Sequence, residues 1–207
     1  MKHISIKSSL AALATTLLLS TTCAFAAPEI GSPAPQFTVT DTNGNEVSTA
    51  DLVGKTVVLE WTNHGCPYVK KHYKSGNMQA LQNEASNEEV VWLSIISSAE
   101  GKQGSVSAEE ANKLTTDRNA APSHVVLDQE GTIGRAYDAR TTPHMYIIDA
   151  EGKLAYMGGI DDKPTADPAD IKDAQNYVRT ALSEIKNGQA VSTPSSRPYG
   201  CSVKYAS

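Results

Sequence analysis

The sequence predicts an α/β sandwich built on a central mixed sheet, and three features predict it. First, Val57-Val58-Leu59 and residues 90–96 are apolar runs of the kind that form strands buried on both faces. Second, helical stretches separate the strand-like runs along the chain. Third, residues 145–148 and 153–157 flank Asp149-Ala150-Glu151-Gly152 as a hairpin, and a last helical stretch follows. Strands that alternate with helices and end in an antiparallel pair belong to a layered α/β domain.

The elements follow in order. Residues 36–40 read as a short strand, and Asp41-Thr42-Asn43-Gly44 is turn chemistry leading back through Glu46 and Val47. Ser48 to Leu52 reads as a short capped helix ending at Gly54, and residues 55–62 hold the first interior strand. After a loop at 63–65, residues 66–85 read as a helix interrupted at Ser75-Gly76, and 90–96 as the second interior strand. Ser107 and Glu110 form a capping box, in which each side chain bonds the other's backbone N–H, opening a helix to about Arg118. Residues 124–127 are a strand, 132–137 a short helix, and 168–185 the final helix, with Pro168 in its first turn and Gly188 as its stop. The tail after Gln189 is rich in Ser, Pro and Thr, yet Arg197-Pro198-Tyr199-Gly200-Cys201-Ser202-Val203-Lys204-Tyr205 is too aromatic for a plain disordered end.

The N-terminal residues read as a targeting segment rather than as fold. Lys2, His3 and Lys7 precede an apolar run over 10–19, and Ala24-Phe25-Ala26 supplies a small-x-small cleavage pattern. The expectation is a signal peptide over 1–26 and a periplasmic or secreted protein without a stable membrane span. Acylation at Cys23 is disfavoured, because Ser20 stands where a lipoprotein signal carries Leu. The whole chain carries a net charge of −5, and removing Lys2 and Lys7 makes the remainder more negative. That balance argues against nucleic acid and anionic membrane surfaces as partners. Loss of Cys23 would leave two of the three cysteines, Cys66 and Cys201. In an oxidising compartment that pair is either a redox-active disulfide or a permanent staple for the tail.

Cys66 stands where an interior strand ends and a helix begins, with Pro67 behind it. Unpaired N–H groups and the positive end of the helix dipole would face its sulfur. Lys70, Lys71, His72 and Lys74 add positive charge over the next turns. Together these predict a lowered thiol pKa and a nucleophilic thiolate.

The stretch from Val57 to Cys66-Pro67 resembles the strand–loop–helix entry to the Cys-x-x-Cys motif of the thioredoxin superfamily. Thr142-Pro143, followed by His144-Met145-Tyr146-Ile147-Ile148-Asp149, is similar to the cis-proline strand and hairpin of its exported thioredoxins and redoxin (AhpC/TSA) branch. The resemblance spans most of residues 31–188. It implies a thioredoxin-like three-layer sandwich over 27–188, with an N-terminal hairpin extension and a C-terminal tail over 189–207 carrying Cys201.

The resemblance also implies roles. Cys66 matches the attacking cysteine, Glu60 the buried acid that handles the proton, and Pro143 the cis-proline facing the sulfur. Thr142 would offer backbone hydrogen bonds to a bound peptide. Val69 stands where the second cysteine belongs, so a self-contained Cys-x-x-Cys cycle is impossible and Cys201 is the remaining resolving thiol. His64 is the candidate to tune the thiolate. These residues lead to a thiol–disulfide oxidoreductase that needs no cofactor and works with a protein thiol/disulfide partner or a small thiol donor.

Two other readings compete. A thiol peroxidase would need a Pro-x-x-x-Thr-x-x-Cys frame and a distant Arg. Here Asn63 stands three residues before Cys66 with no matching Pro, that family's reactive cysteine aligns nearer Val69, and Arg135 or Arg140 could supply the cation although nothing in the sequence places either there. A soft copper(I) or zinc site would draw on Cys66, His64, His72, His144 and Cys201, resembling Sco-type copper chaperones but without their Cys-x-x-x-Cys.

Overall fold

The computed structural model describes residues 27–206, so the expected signal segment lies outside the described residues. Strands β1 (Thr38–Thr40) and β2 (Glu46–Ser48) form the N-terminal hairpin, followed by a 3-10 turn over Thr49–Leu52. Strand β3 (Val57–Trp61) leads into helices α1 (Pro67–Lys74) and α2 (Asn77–Asn87). Then come β4 (Val91–Ile96), α3 (Ala108–Asp117), β5 (His124–Leu127) and α4 (Thr132–Ala136). The short β6 (Thr141–Thr142), the hairpin β7 (His144–Ile148) and β8 (Leu154–Gly158), α5 (Tyr177–Lys186) and β9 (Cys201–Ser202) complete the order.

The central sheet runs β5-β4-β3-β7-β8, with β3, β4 and β5 parallel and β7 and β8 antiparallel. Alternation along β3 sorts its side chains cleanly. Val58 joins Val69, Met78, Leu81, Met145, Tyr156 and Val178 under α1, α2 and α5. Val57, Leu59 and Trp61 pack on the other face with Leu93, Val126, Ile133 and Tyr137, beneath α4 and the N-terminal hairpin. These are the two helical layers and the sheet of the expected sandwich.

Most expected elements stand where the sequence places them, including the reciprocal Ser107–Glu110 capping box. The break between α1 and α2 falls at Gly76, whose φ of 75° suits glycine. Two expectations are corrected. Ser48 makes no capping bond; the neighbouring Thr49 hydroxyl accepts from the Phe37 N–H instead, at 3.0 Å. The final helix is not continuous from 168. Pro168–Asp173 is a 3-10 turn, and the chain extends over 174–176 because the Gln175 N–H is drawn to Asp162 and the Tyr177 N–H to the Ile160 carbonyl. Asn176 then caps α5 by accepting from the Arg179 N–H at 2.9 Å.

The tail is ordered and crosses the edge of the sheet. Met157 and residues 194–196 exchange backbone bonds of 3.1 and 3.2 Å alongside β8. Farther on, β9 pairs antiparallel with β6, Thr142 opposite Cys201. Beyond it the Ala99 N–H donates to the Lys204 carbonyl at 2.9 Å, and the Tyr205 hydroxyl donates to the Ala139 carbonyl at 2.8 Å.

Candidate active site

Cys66 is the N-cap residue of α1, with Pro67 at the first helical position, so the helix starts at the sulfur. Asn63 shapes the approach. Its side-chain oxygen accepts from the Gly65 N–H at 2.8 Å, its carbonyl from the Cys66 N–H at 3.0 Å, and its amide donates to the Gln103 carbonyl at 3.1 Å. The residue standing in the peroxidase frame's threonine position is therefore committed to holding the loop.

The Thr142–Pro143 peptide bond is cis and borders the sulfur, whose Sγ lies 3.1 Å from the Thr142 carbonyl oxygen. Cys201, brought in by β9, places its own sulfur 2.8 Å from Cys66 Sγ. Both cysteines are thiols. Across 135 positions of sequence the fold brings them to contact, as far apart as a disulfide needs only to close slightly.

The two thiols differ in acidity. Burial opposes ionisation of Cys66, but a hydrogen bond from the Cys201 thiol and the backbone N–H groups of Val69 and Cys201 outweigh it and hold its pKa below a free thiol's. Burial, and then the adjacent Cys66, push Cys201 up to about 11. Cys66 is therefore the more acidic of the pair, and Cys201 keeps its proton to higher pH.

The charge expected from α1 arrives differently. Lys71 and His72 are both buried and face a cluster beneath the tail rather than adding free charge to the sulfur. Lys71 Nζ lies 3.5 Å from Asp161 and donates to the Lys163 carbonyl at 2.6 Å. Burial, with Lys71 adding to it, lowers the His72 pKa to about 3, so this ring is neutral. Its Nδ1 accepts from the Asn77 amide at 2.9 Å, which leaves Nε2 to donate to the Tyr199 hydroxyl at 3.1 Å. Tyr199 in turn donates to the Asp161 carboxylate in a short bond. Two residues before Cys201, the tail is thus pinned into a buried polar cluster.

Glu60 is fully buried on the β3 face that carries Val58. Four donors surround its carboxylate: Tyr73 at 2.9 Å, Ser94 at 2.9 Å, the Trp92 indole at 3.0 Å and Gln82 at 3.3 Å. Burial and then the Glu60 charge raise the Tyr73 phenol well above its ordinary pKa, so it stays a donor.

The histidines do not converge. His64 is lowered by burial and then by Arg118 and Lys70, and its buried Nδ1 has no hydrogen-bond partner. Burial lowers His144 to about 4, and its Nδ1 lies 3.3 Å from the Arg140 N–H and 3.1 Å from the Tyr146 hydroxyl. Among the described residues no three His, Cys, Asp or Glu side chains are grouped to hold a metal. Arg140 pairs with Asp138, and Arg135 stacks on Tyr205; neither hydrogen-bonds to Cys66. Sequence reasoning missed Tyr199, Asp161 and the donors around Glu60. Only the aromatic character of the tail hinted at the first of these.

A thiol paired across a cis-proline at the head of a helix, on this sheet order, defines a protein of the thioredoxin-like thiol class. A model of the AhpC/TSA family matches residues 30–157, and the chain belongs to that family. It is similar to the thiol-disulfide oxidoreductase ResA of Bacillus subtilis (strain 168), at 28% identity over 124 residues. That match spans 60% of this chain and 64% of the relative's length. Among solved structures, an uncharacterized conserved protein from Geobacillus kaustophilus is 26% identical with a TM-score of 0.72, over 86% of this chain and 93% of that one. A hypothetical protein from Sinorhizobium meliloti 1021 reaches 0.76 at 20% identity, over 88% and 97%. A thiol:disulfide interchange protein from Bacteroides sp. shares the fold at 0.50 and 22% identity, over 69% and 86%.

Proposed function

We propose that this protein is an exported thiol–disulfide oxidoreductase in which Cys66 is the nucleophile and Cys201 the resolving thiol. The observation that carries this reading is the 2.8 Å contact between the two sulfurs, at the head of α1 and beside cis-Pro143. The acidity difference supports the division of labour, since the thiolate attacks and the protonated partner stabilises it until the internal disulfide closes. The similarity to ResA, a thiol-disulfide oxidoreductase, points the same way. Thr142 and Pro143 shape the approach to the sulfurs, and Glu60, in its cage of donors, is the internal acid for proton movement. The partner is a protein thiol or disulfide, or a small thiol. The apolar run and small-residue site of residues 1–26 support export to the periplasm or secretion.

Redox titration of the purified protein against glutathione, followed by intact mass, tests this. A reversible loss of two hydrogens is expected in the wild type and in neither Cys66→Ala nor Cys201→Ala. Turnover of a dithiol substrate by Cys66→Ala at the wild-type rate would overturn the assignment.

A further inference from the structure

A cavity of about 390 Å³ lies on the face of the sheet away from Cys66. Alternation along β7 places Met145 in the layer that holds Cys66, and His144 and Tyr146 on the opposite side. The walls are largely apolar: the rings of Tyr137 and Tyr146, with centroids 5.4 Å apart, together with Met157, Pro28 and Pro198. Both phenols donate elsewhere, Tyr137 to the Pro35 carbonyl at 2.6 Å and Tyr146 to the Tyr137 carbonyl at 2.8 Å. His144 lines the same cavity and is 5% exposed. The Arg140 backbone N–H, a donor that cannot rotate away, points at its Nδ1 from 3.3 Å. Burial keeps the ring neutral, so Nδ1 accepts and the proton sits on Nε2. That N–H has no partner among the described residues. Nearby, Arg140 is bound to Asp138 through Nε at 3.0 Å and through Nη2, so the two charges cancel.

We propose that this cavity binds a small uncharged molecule with an aromatic body and one carbonyl-type oxygen, which accepts the proton of His144 Nε2–H. The site goes beyond the thiol chemistry and does not depend on it. Its volume falls in the range of small-ligand pockets, which pair apolar walls with a few placed polar groups. The two tyrosine rings offer edges and faces to a flat ligand. A buried donor left unmade is costly, and one acceptor oxygen at Nε2 removes that cost. Charge selects against the alternatives. A carboxylate would meet Asp138 as well as Arg140, in a chain of net charge −5. An ammonium group would face the Nε2 proton and find the Asp138 carboxylate already engaged. A neutral acceptor, such as an amide or a ketone, meets neither penalty.

The full chain, labelled with nitrogen-15 and kept reduced, is titrated with benzamide and followed through its backbone and imidazole resonances. Before any addition His144 is expected to carry its proton on Nε2 with Nδ1 bare; the opposite tautomer overturns the proposal. Benzamide should then give saturable shifts at His144, Tyr146 and Met157, with a dissociation constant in the millimolar range that suits so small a molecule. No saturable shift, or shifts centred elsewhere, overturns it. Benzoate should bind several-fold more weakly than benzamide, and tighter binding of benzoate overturns the uncharged class. His144→Phe keeps a ring but removes the donor, and should weaken benzamide about five- to tenfold; an unchanged affinity overturns the role of Nε2. Where that variant fails to fold, Ser195→Trp supplies the second arm, because Ser195 is an exposed residue on the cavity wall. The indole should fill the cavity and abolish the shifts, and undiminished binding overturns the assignment.

Discussion

At the scale of single residues, two sulfurs 2.8 Å apart cannot share one charge equally, and their surroundings decide which keeps it. The Cys201 thiol is the largest of the influences that lower the Cys66 pKa. Cys201→Ala is therefore expected to raise that pKa, read as a shift to higher pH of the thiolate absorbance or of the iodoacetamide rate. An unshifted profile would mean that the backbone N–H groups of Val69 and residue 201 suffice to set the acidity. Glu60 faces four donors, so Glu60→Gln would turn an amide N–H toward at least one of them. That substitution is expected to cost about 1–3 kcal/mol in chemical denaturation. In the proposed reaction it also alters the pH profile of exchange, which a purely structural loss would leave in shape. Cys66 was legible from its strand-to-helix junction, and Glu60 and Pro143 from the resemblance of their stretches to the thioredoxin superfamily. Tyr199 and Asp161 were not, since their meeting depends on where the tail crosses the sheet.

At the scale of elements, the sequence marks strands and helices wherever local chemistry settles them, as in the Ser107 capping box and the 149–152 hairpin. It misleads where a tertiary contact competes. The apolar spacing over 168–185 suits one helix, but the pull of Asp162 and Ile160 on residues 175 and 177 divides it. The β6–β9 pair was invisible for a related reason: it is two residues long and joins segments 60 positions apart, so no periodicity announces it. Its weak point is Gly200, at φ 139° against the Thr142 carbonyl. Gly200→Ala is expected to undock β9, costing about 1–3 kcal/mol, and to speed alkylation of Cys66. Unchanged protection of that thiol would show that other tail contacts suffice.

At the scale of the whole molecule, the fold buries two histidines in neutral form. His72 and His144 titrate in the folded protein near 3 and 4, because burial disfavours their charged forms, against about 6.5 in an unfolded chain. Between those limits the unfolded state binds more protons, so stability is fully present above about pH 6.5 and falls as pH drops through the window. Denaturation at pH 5 rather than pH 7 should show a loss on the order of 4 kcal/mol from the two rings together. His144→Gln should flatten that slope by roughly half. Asp41 adds a lower step. Burial opposes its ionisation, but His124, Asn45 and Asn43 outweigh it and hold the pKa at about 2, so its contribution disappears between about pH 4 and pH 2.

The tail crossing has a thermodynamic counterpart. A bond closed between Cys66 and Cys201 would tie off a ring of 135 residue steps, which in the chain-entropy model disfavours the unfolded state by about 5 kcal/mol. Linkage runs in both directions: whatever the closed ring adds to folding, folding adds to the permanence of the ring. The docked strand acts as a high effective concentration of one thiol for the other, and each ~1.4 kcal/mol by which docking is weakened makes the pair about 30 mV easier to reduce. The reduction potential of such a bond would then be a reading of how firmly the last few residues are held down.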